Sequence, residues 1–160
     1  MKRRFVIMVL FLLVAVPPET YSWQKVPAAT AQQPGAFSFV PETVYPLGMR
    51  SRQVTAEFIL KVNPDTVLCY LPYFGQATSI DYGSRKSSTD FVSVKFDYTE
   101  RKGKKGATIM SIQPKDNRAV RTIEITCYPG SEYANVSIIF NQQQSIAYRG
   151  RIVRTGATTK

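Results

Sequence analysis

The chain has 160 residues, with 21 Lys plus Arg against 11 Asp plus Glu, no His and two Cys, and 44% of it is hydrophobic. At roughly 100–200 residues per domain this supports one core and not two, and neither charge nor apolar content is that of a disordered chain. Without His there is no Ser-His or Cys-His nucleophile pair, no His-ligated zinc and no imidazole proton shuttle, and two Cys alone cannot build a structural zinc site.

Lys2, Arg3 and Arg4 precede an unbroken apolar run from Phe5 to Val16 that ends at Pro17-Pro18. A basic start and a short apolar run predict a secretory signal peptide over residues 1–22, cleaved after Ser22. The run of 12 residues is shorter than the roughly 17–25 that span a bilayer, so no transmembrane segment is expected after leader cleavage. The first Cys is Cys69, far from the leader, so no residue is placed to carry a lipid. The expectation is export to the periplasm or the exterior, and not as a lipoprotein. Loss of the leader removes three bases and one acid and lowers the net charge from +10 to +8.

Residues 23–43 mix Pro, Ala, Gln and Gly without periodicity and read as a linker or N-terminal arm. The β domain is expected over 44–154, with a tail at 155–160. From Gln53 the period becomes two: Val54, Ala56, Phe58, Leu60 and Val62 share one face. Asn63-Pro64-Asp65 turns the chain and Thr66–Leu71 returns. Val92, Val94, Phe96 and Tyr98 then alternate with Ser93, Lys95 and Asp97, and Thr108–Gln113 comes back across the basic tip Arg101–Gly106. Arg121, Ile123, Ile125 and Cys127 form the next inward set, followed beyond Pro129-Gly130 by Ala134, Val136, Ile138 and Phe140. Ile146, Tyr148, Gly150 and Ile152 close the series. The fold class is therefore all-β: a single antiparallel meander of about seven or eight strands, which must close into a small barrel or fold into a sandwich to bury its apolar face.

Three blocks carry a resemblance. Tyr45-Pro46-Leu47-Gly48-Met49-Arg50-Ser51-Arg52, then Leu71-Pro72-Tyr73-Phe74-Gly75-Gln76-Ala77, and the closing Gln143-Gln144-Ser145-Ile146-Ala147-Tyr148-Arg149-Gly150-Arg151-Ile152 look like the family catalogued as domain of unknown function 4251. Gln113-Pro114-Lys115-Asp116 and Tyr133-Ala134 fit it too. The match spans roughly residues 37–153, and Leu-Pro-Tyr-Phe-Gly is its most specific part. The resemblance implies a predominantly β protein exported from Gram-negative cells, with no activity, cofactor or catalytic residue to carry over. Family members are often lipoproteins, and this chain departs from those in lacking the lipid-bearing Cys.

Tyr70, Tyr73 and Phe74 sit where Pro72 must end a strand, because Pro offers no N–H to a ladder. They form either a stacking platform for a sugar or peptide or a plug over one end of the core. Arg50 and Arg52, the hairpin tip, and Arg149, Arg151 and Arg154 give basic clusters: a cationic surface for an anionic envelope polymer, or solvated side chains that keep strand edges apart. Nucleic acid is not expected for an exported chain. Cys69 and Cys127 both point inward, and export admits a disulfide closing about 59 residues as well as two buried free thiols. No metal site and no cofactor motif is present.

The expected function is a non-enzymatic binding or structural β domain of the envelope, with an anionic polymer or another envelope protein as partner. The rival is a hydrolase acting on envelope glycans through paired carboxylates among Asp81, Asp90, Asp97 and Glu124. It requires two acids converging in a cleft.

Overall fold

In a computed structural model, residues 33–55, 57–74 and 87–154 are described. The expected leader, residues 23–32 of the expected arm, Ala56, Gly75–Asp81 and the 155–160 tail lie outside them. The described residues form ten strands: β1 Phe37–Pro46, β2 Arg52–Gln53, β3 Ile59–Val62, β4 Val67–Tyr70, β5 Asp90–Ser93, β6 Phe96–Lys102, β7 Thr108–Pro114, β8 Val120–Cys127, β9 Tyr133–Phe140 and β10 Ile146–Arg154. One 3-10 turn, Lys104–Gly106, caps the β6–β7 hairpin. No helix among the described residues is long and apolar enough to cross a membrane.

The strands make one antiparallel sheet in the order β5-β4-β3-β1-β10-β9-β8-β7-β6, with β2 added beside β1. It curls into a nearly closed barrel. β5 and β6 stand at opposite ends of the order, yet only Val94 and Lys95 separate them in sequence, so the chain itself steps across the seam. Three Cα steps reach at most about 11 Å, which brings the two free edges together at that corner. Asp116, in the β7–β8 turn, fastens it. Its carboxylate accepts from Ser93 Oγ, from the Val94 N–H at 2.8 Å and from the Lys95 N–H at 3.2 Å. The Ser93 hydroxyl and the Val94 amide hold that carboxyl below the ordinary 3.8.

Period-two patterning explains the core. Leu60, Ile123, Ile125, Val136 and Ile138 are fully buried, and Phe58, Phe96 and Ile152 pack half-buried against them. The structure differs from the sequence reading where the period slips. Phe37–Thr43, assigned to the arm, is most of β1, a strand obscured by Pro41 and by a register shift between Pro41 and Thr43. Gly150 faces that bulge, and a Cβ there would lie 2.0 Å from the Val40 carbonyl oxygen, so only Gly fits. The strand expected from Gln53 to Val62 is two short ones, β2 and β3. Val92 and Val94 face outward and Ser93 inward, the reverse of the expected phase, because β5 ends at the seam and β6 restarts the alternation. Arg121 also faces out, since a bulge between Val120 and Thr122 turns Val120 and Ile123 inward together. Ten strands in place of seven or eight follow from these breaks.

Candidate functional site

The end of β4 runs into one mouth of the barrel. Leu71 and Pro72 are buried. The Leu71 N–H donates to the Thr89 carbonyl at 3.3 Å, and Thr89 Oγ1 donates back to the Leu71 carbonyl at 2.6 Å. The Tyr148 hydroxyl, from β10, donates to the Pro72 carbonyl at 2.9 Å. Tyr73 then turns inward. Its ring meets Phe140 edge-on at 5.2 Å, and its hydroxyl donates to the Gln144 carbonyl at 3.1 Å. Burial pushes this phenol above its ordinary pKa, and burial does the same more strongly to Tyr148. Tyr73 therefore sits as a plug. Phe74 is the more exposed of the pair, and the Arg52 guanidinium lies 5.1 Å from its ring centroid.

Tyr70 faces outward from β4 and stacks at a tilt on Phe58, 5.2 Å away. Arg50 is exposed in the segment between β1 and β2. Arg149 and Arg151 are elsewhere. Arg52 lies opposite Val44 and Arg149 opposite Thr43, successive β1 positions whose side chains alternate between the two faces. Arg149 covers the Tyr133 ring at 5.3 Å, while Arg151 Nε donates to Glu42 Oε1 at 2.7 Å, which raises the guanidinium pKa further. The seven residues singled out in the sequence thus divide into an aromatic shoulder around Arg52 and Phe74 and a separate stretch of the β10 outer face.

Cys69 and Cys127 are free and buried. Four strands, β3, β1, β10 and β9, lie between theirs in the sheet, so the disulfide reading gives way to the two-thiol one. Burial, aided by Asp90, pushes the Cys69 thiol up. Burial raises Cys127 too, with Arg154 opposing.

The hairpin tip and Arg154, from two of the basic clusters named in the sequence, meet at the other mouth. There the Gly103–Ala107 tip, the Tyr128–Ser131 turn and Arg154 come together. The tip is closed by the Gly103 N–H donating to the Ala107 carbonyl at 2.7 Å, with Lys105 and Gly106 both at positive φ. Pro129 and Gly130, the latter at φ 70°, set the turn, and the Ser131 N–H donates to the Tyr128 carbonyl at 3.2 Å. Between tip and turn opens a cleft of about 580 Å³ whose walls include Lys102, Thr108, Tyr128 and Arg154. Lys102 Nζ donates to Thr108 Oγ1 at 3.0 Å, and the Arg154 charge is felt at both Cys127 and Tyr98. Tyr128 is not among the residues singled out from the sequence. The signal lay in a Tyr at a turn whose strand partners end in bases.

The carboxylates do not converge. Asp97 pairs with Lys115 at 2.7 Å on the surface, and Glu124 pairs with Arg101 at 2.8 Å. Asp90 is on β5, across the seam from the strand that carries Asp97, and pairs with neither Lys115 nor Arg101; Asp81 lies outside the described residues. Among the described residues no group of three or more Cys, Asp or Glu is placed to hold a metal ion.

A family model described as Domain of unknown function (DUF4251) matches residues 26–152. The crystal structure of a DUF4251 family protein from Bacteroides eggerthii is similar to this fold, with a TM-score of 0.53 at 18% identity, covering 78% of this chain and 80% of that one. No curated protein matches the chain.

Proposed function

Because the chain belongs to the DUF4251 family, whose description carries no activity, we propose a function from its own surface: a non-enzymatic binding domain, exported to the bacterial envelope, that holds an anionic polymer. The basic start and short apolar run at residues 2–16 support export. The observation that carries the binding reading is the gathering of Lys102, Lys104, Lys105 and Arg154 at one mouth of the barrel. Two of these, Lys102 and Arg154, line the same cleft. Cations held on rigid strand ends attract a polyanion at low cost in ordering. The engagement of Asp97 and Glu124 in ion pairs argues against the hydrolase reading.

The test has two parts. Protein recovered from the envelope fraction of expressing cells should begin near Trp23 by mass spectrometry, and an intact Met1 terminus rejects export. The same protein should sediment with acidic envelope polysaccharide at low salt and release as salt rises, since exposed charge pairs are screened within about 10 Å at 0.1 M. Salt-independent sedimentation, or none, rejects the binding reading.

A further inference from the structure

Three clefts meet at one side chain, Tyr128. The first, of about 580 Å³, passes between Tyr128 and Arg154. A second, of about 660 Å³, runs from Tyr128 past Thr126 and Ile109 to Lys104. The third, of about 240 Å³, lies between Tyr128, Tyr133 and Arg149. Tyr128 is 44% exposed and Tyr133 41%, in a barrel whose other aromatics are mostly turned inward or packed on a neighbour. Each cleft carries at least one base, and Glu132 in the first is the one acid among their lining residues. Arg101, in the second, is already satisfied by Glu124, which leaves Lys102 and Lys104 as its charge.

A compact ligand calls for a single enclosed pocket with a few convergent polar groups. Here there are three shallow grooves, each basic, joined at an exposed aromatic. That is the layout for an extended chain: repeated negative charges placed one to a groove, and one apolar face laid on the ring at the junction. We propose that an acidic polysaccharide lies across Tyr128, with a sugar ring stacked on the Tyr128 phenol and its carboxylate or phosphate groups met by Lys102 and Arg154 on one side and by Arg149 on the other. This rests on the envelope-binding reading above and adds the surface, the ligand class and the role of each residue. Arg50, Arg52 and Phe74, at the other mouth, take no part.

The experiment uses the full mature chain and three labelled polymers: polygalacturonate, which bears carboxylates; heparin, a sulfated glycan; and neutral dextran. A single-stranded oligonucleotide serves as a polyanion of another class. Fluorescence anisotropy should show polygalacturonate and heparin binding and dextran not. Tyr128→Ala should weaken polygalacturonate about tenfold while Tyr128→Phe keeps wild-type affinity, as a stacked ring requires. Arg154→Gln should weaken binding and flatten its salt dependence, and Arg52→Gln should change neither. All three positions are exposed, so far-UV circular dichroism is expected to match wild type. Binding by the wild type that Tyr128→Ala leaves intact, or that Arg52→Gln weakens as much as Arg154→Gln, overturns the assignment and leaves the envelope-binding reading standing. Tighter binding of the oligonucleotide than of either glycan overturns the ligand class. No binding of any acidic polymer overturns both.

Discussion

The hydroxyl of Tyr148 donates to the carbonyl oxygen of Pro72 inside the barrel, 2.9 Å away and 76 residues apart in the chain. It ties the middle of β10 to the segment that leaves β4, and Tyr148 is only 1% exposed. Tyr148→Phe keeps the ring and strands a buried carbonyl. It should cost about 1–3 kcal/mol in urea unfolding, with an unchanged m-value. A variant as stable as wild type would show that the Pro72 carbonyl finds another donor.

Tyr73 and Phe74 separate by the same logic of burial. Tyr73→Ala removes a ring packed on Phe140 and a hydrogen bond to Gln144, and should cost about 3 kcal/mol or more. Phe74→Ala loses the Arg52 contact on an exposed surface and should stay within about 1 kcal/mol. Thermal unfolding of the two variants side by side decides this, and a reversed order would place Phe74 in the core.

The seam should make stability depend on acid. The folded Asp116 carboxyl has a pKa below its ordinary 3.8, so its contribution is fully present above that value and is lost as pH falls through the lowered one. Asp116→Asn should be less stable than wild type at pH 6, and the gap should close as pH falls below 3.8 and through the lowered pKa. Equal loss at both pH values would mean that the amide disrupts the turn sterically rather than through charge.

Both thiols should resist modification while the barrel is folded. Cys69 is 1% exposed and Cys127 6%, and burial raises both pKa values. Iodoacetamide at pH 8 is expected to label neither within the time that labels both in guanidinium, and intact mass without reductant should be that of two free thiols. A mass two daltons lower would mean a bridge.

Substituting Gly150 tests the bulge. An added Cβ meets the Val40 carbonyl at 2.0 Å and Pro41 Cα at 2.7 Å, backbone atoms that cannot swing aside. Gly150→Ala should therefore cost at least the upper part of the roughly 1–3 kcal/mol typical of overpacking. Gly48→Ala, at a positive φ but in open space, should cost about 1 kcal/mol.

The faces of β3, β4, β9 and β10 were legible because strict alternation, such as Val136, Ile138 and Phe140, has one reading. β1 was not, since Pro41 and the bulge beside it imitate a linker, and β5 was read out of phase because nothing local says that Asp116 will draw Ser93 inward. The site suffered from a different gap. Bases at Arg52 and Arg149 look alike as residue types, and register alone decides that they face opposite ways. Tyr128 escaped because a turn residue has no period to betray its exposure.

β1 and β10 are hydrogen-bonded from Phe37↔Arg154 to Pro46↔Ile146, so the first described strand waits for the last. The β5–β6 seam can join the two halves of the sheet earlier, yet the β1–β10 pairing has to wait for the nine-residue β10. The barrel thus cannot close before its last described strand has been made. Its assembly is dominated by contacts of high sequence separation, a class that folds in milliseconds to seconds rather than microseconds. A nascent chain stalled before Ile146 should therefore stay protease-sensitive, because the two strands that close the barrel are its first and last described ones.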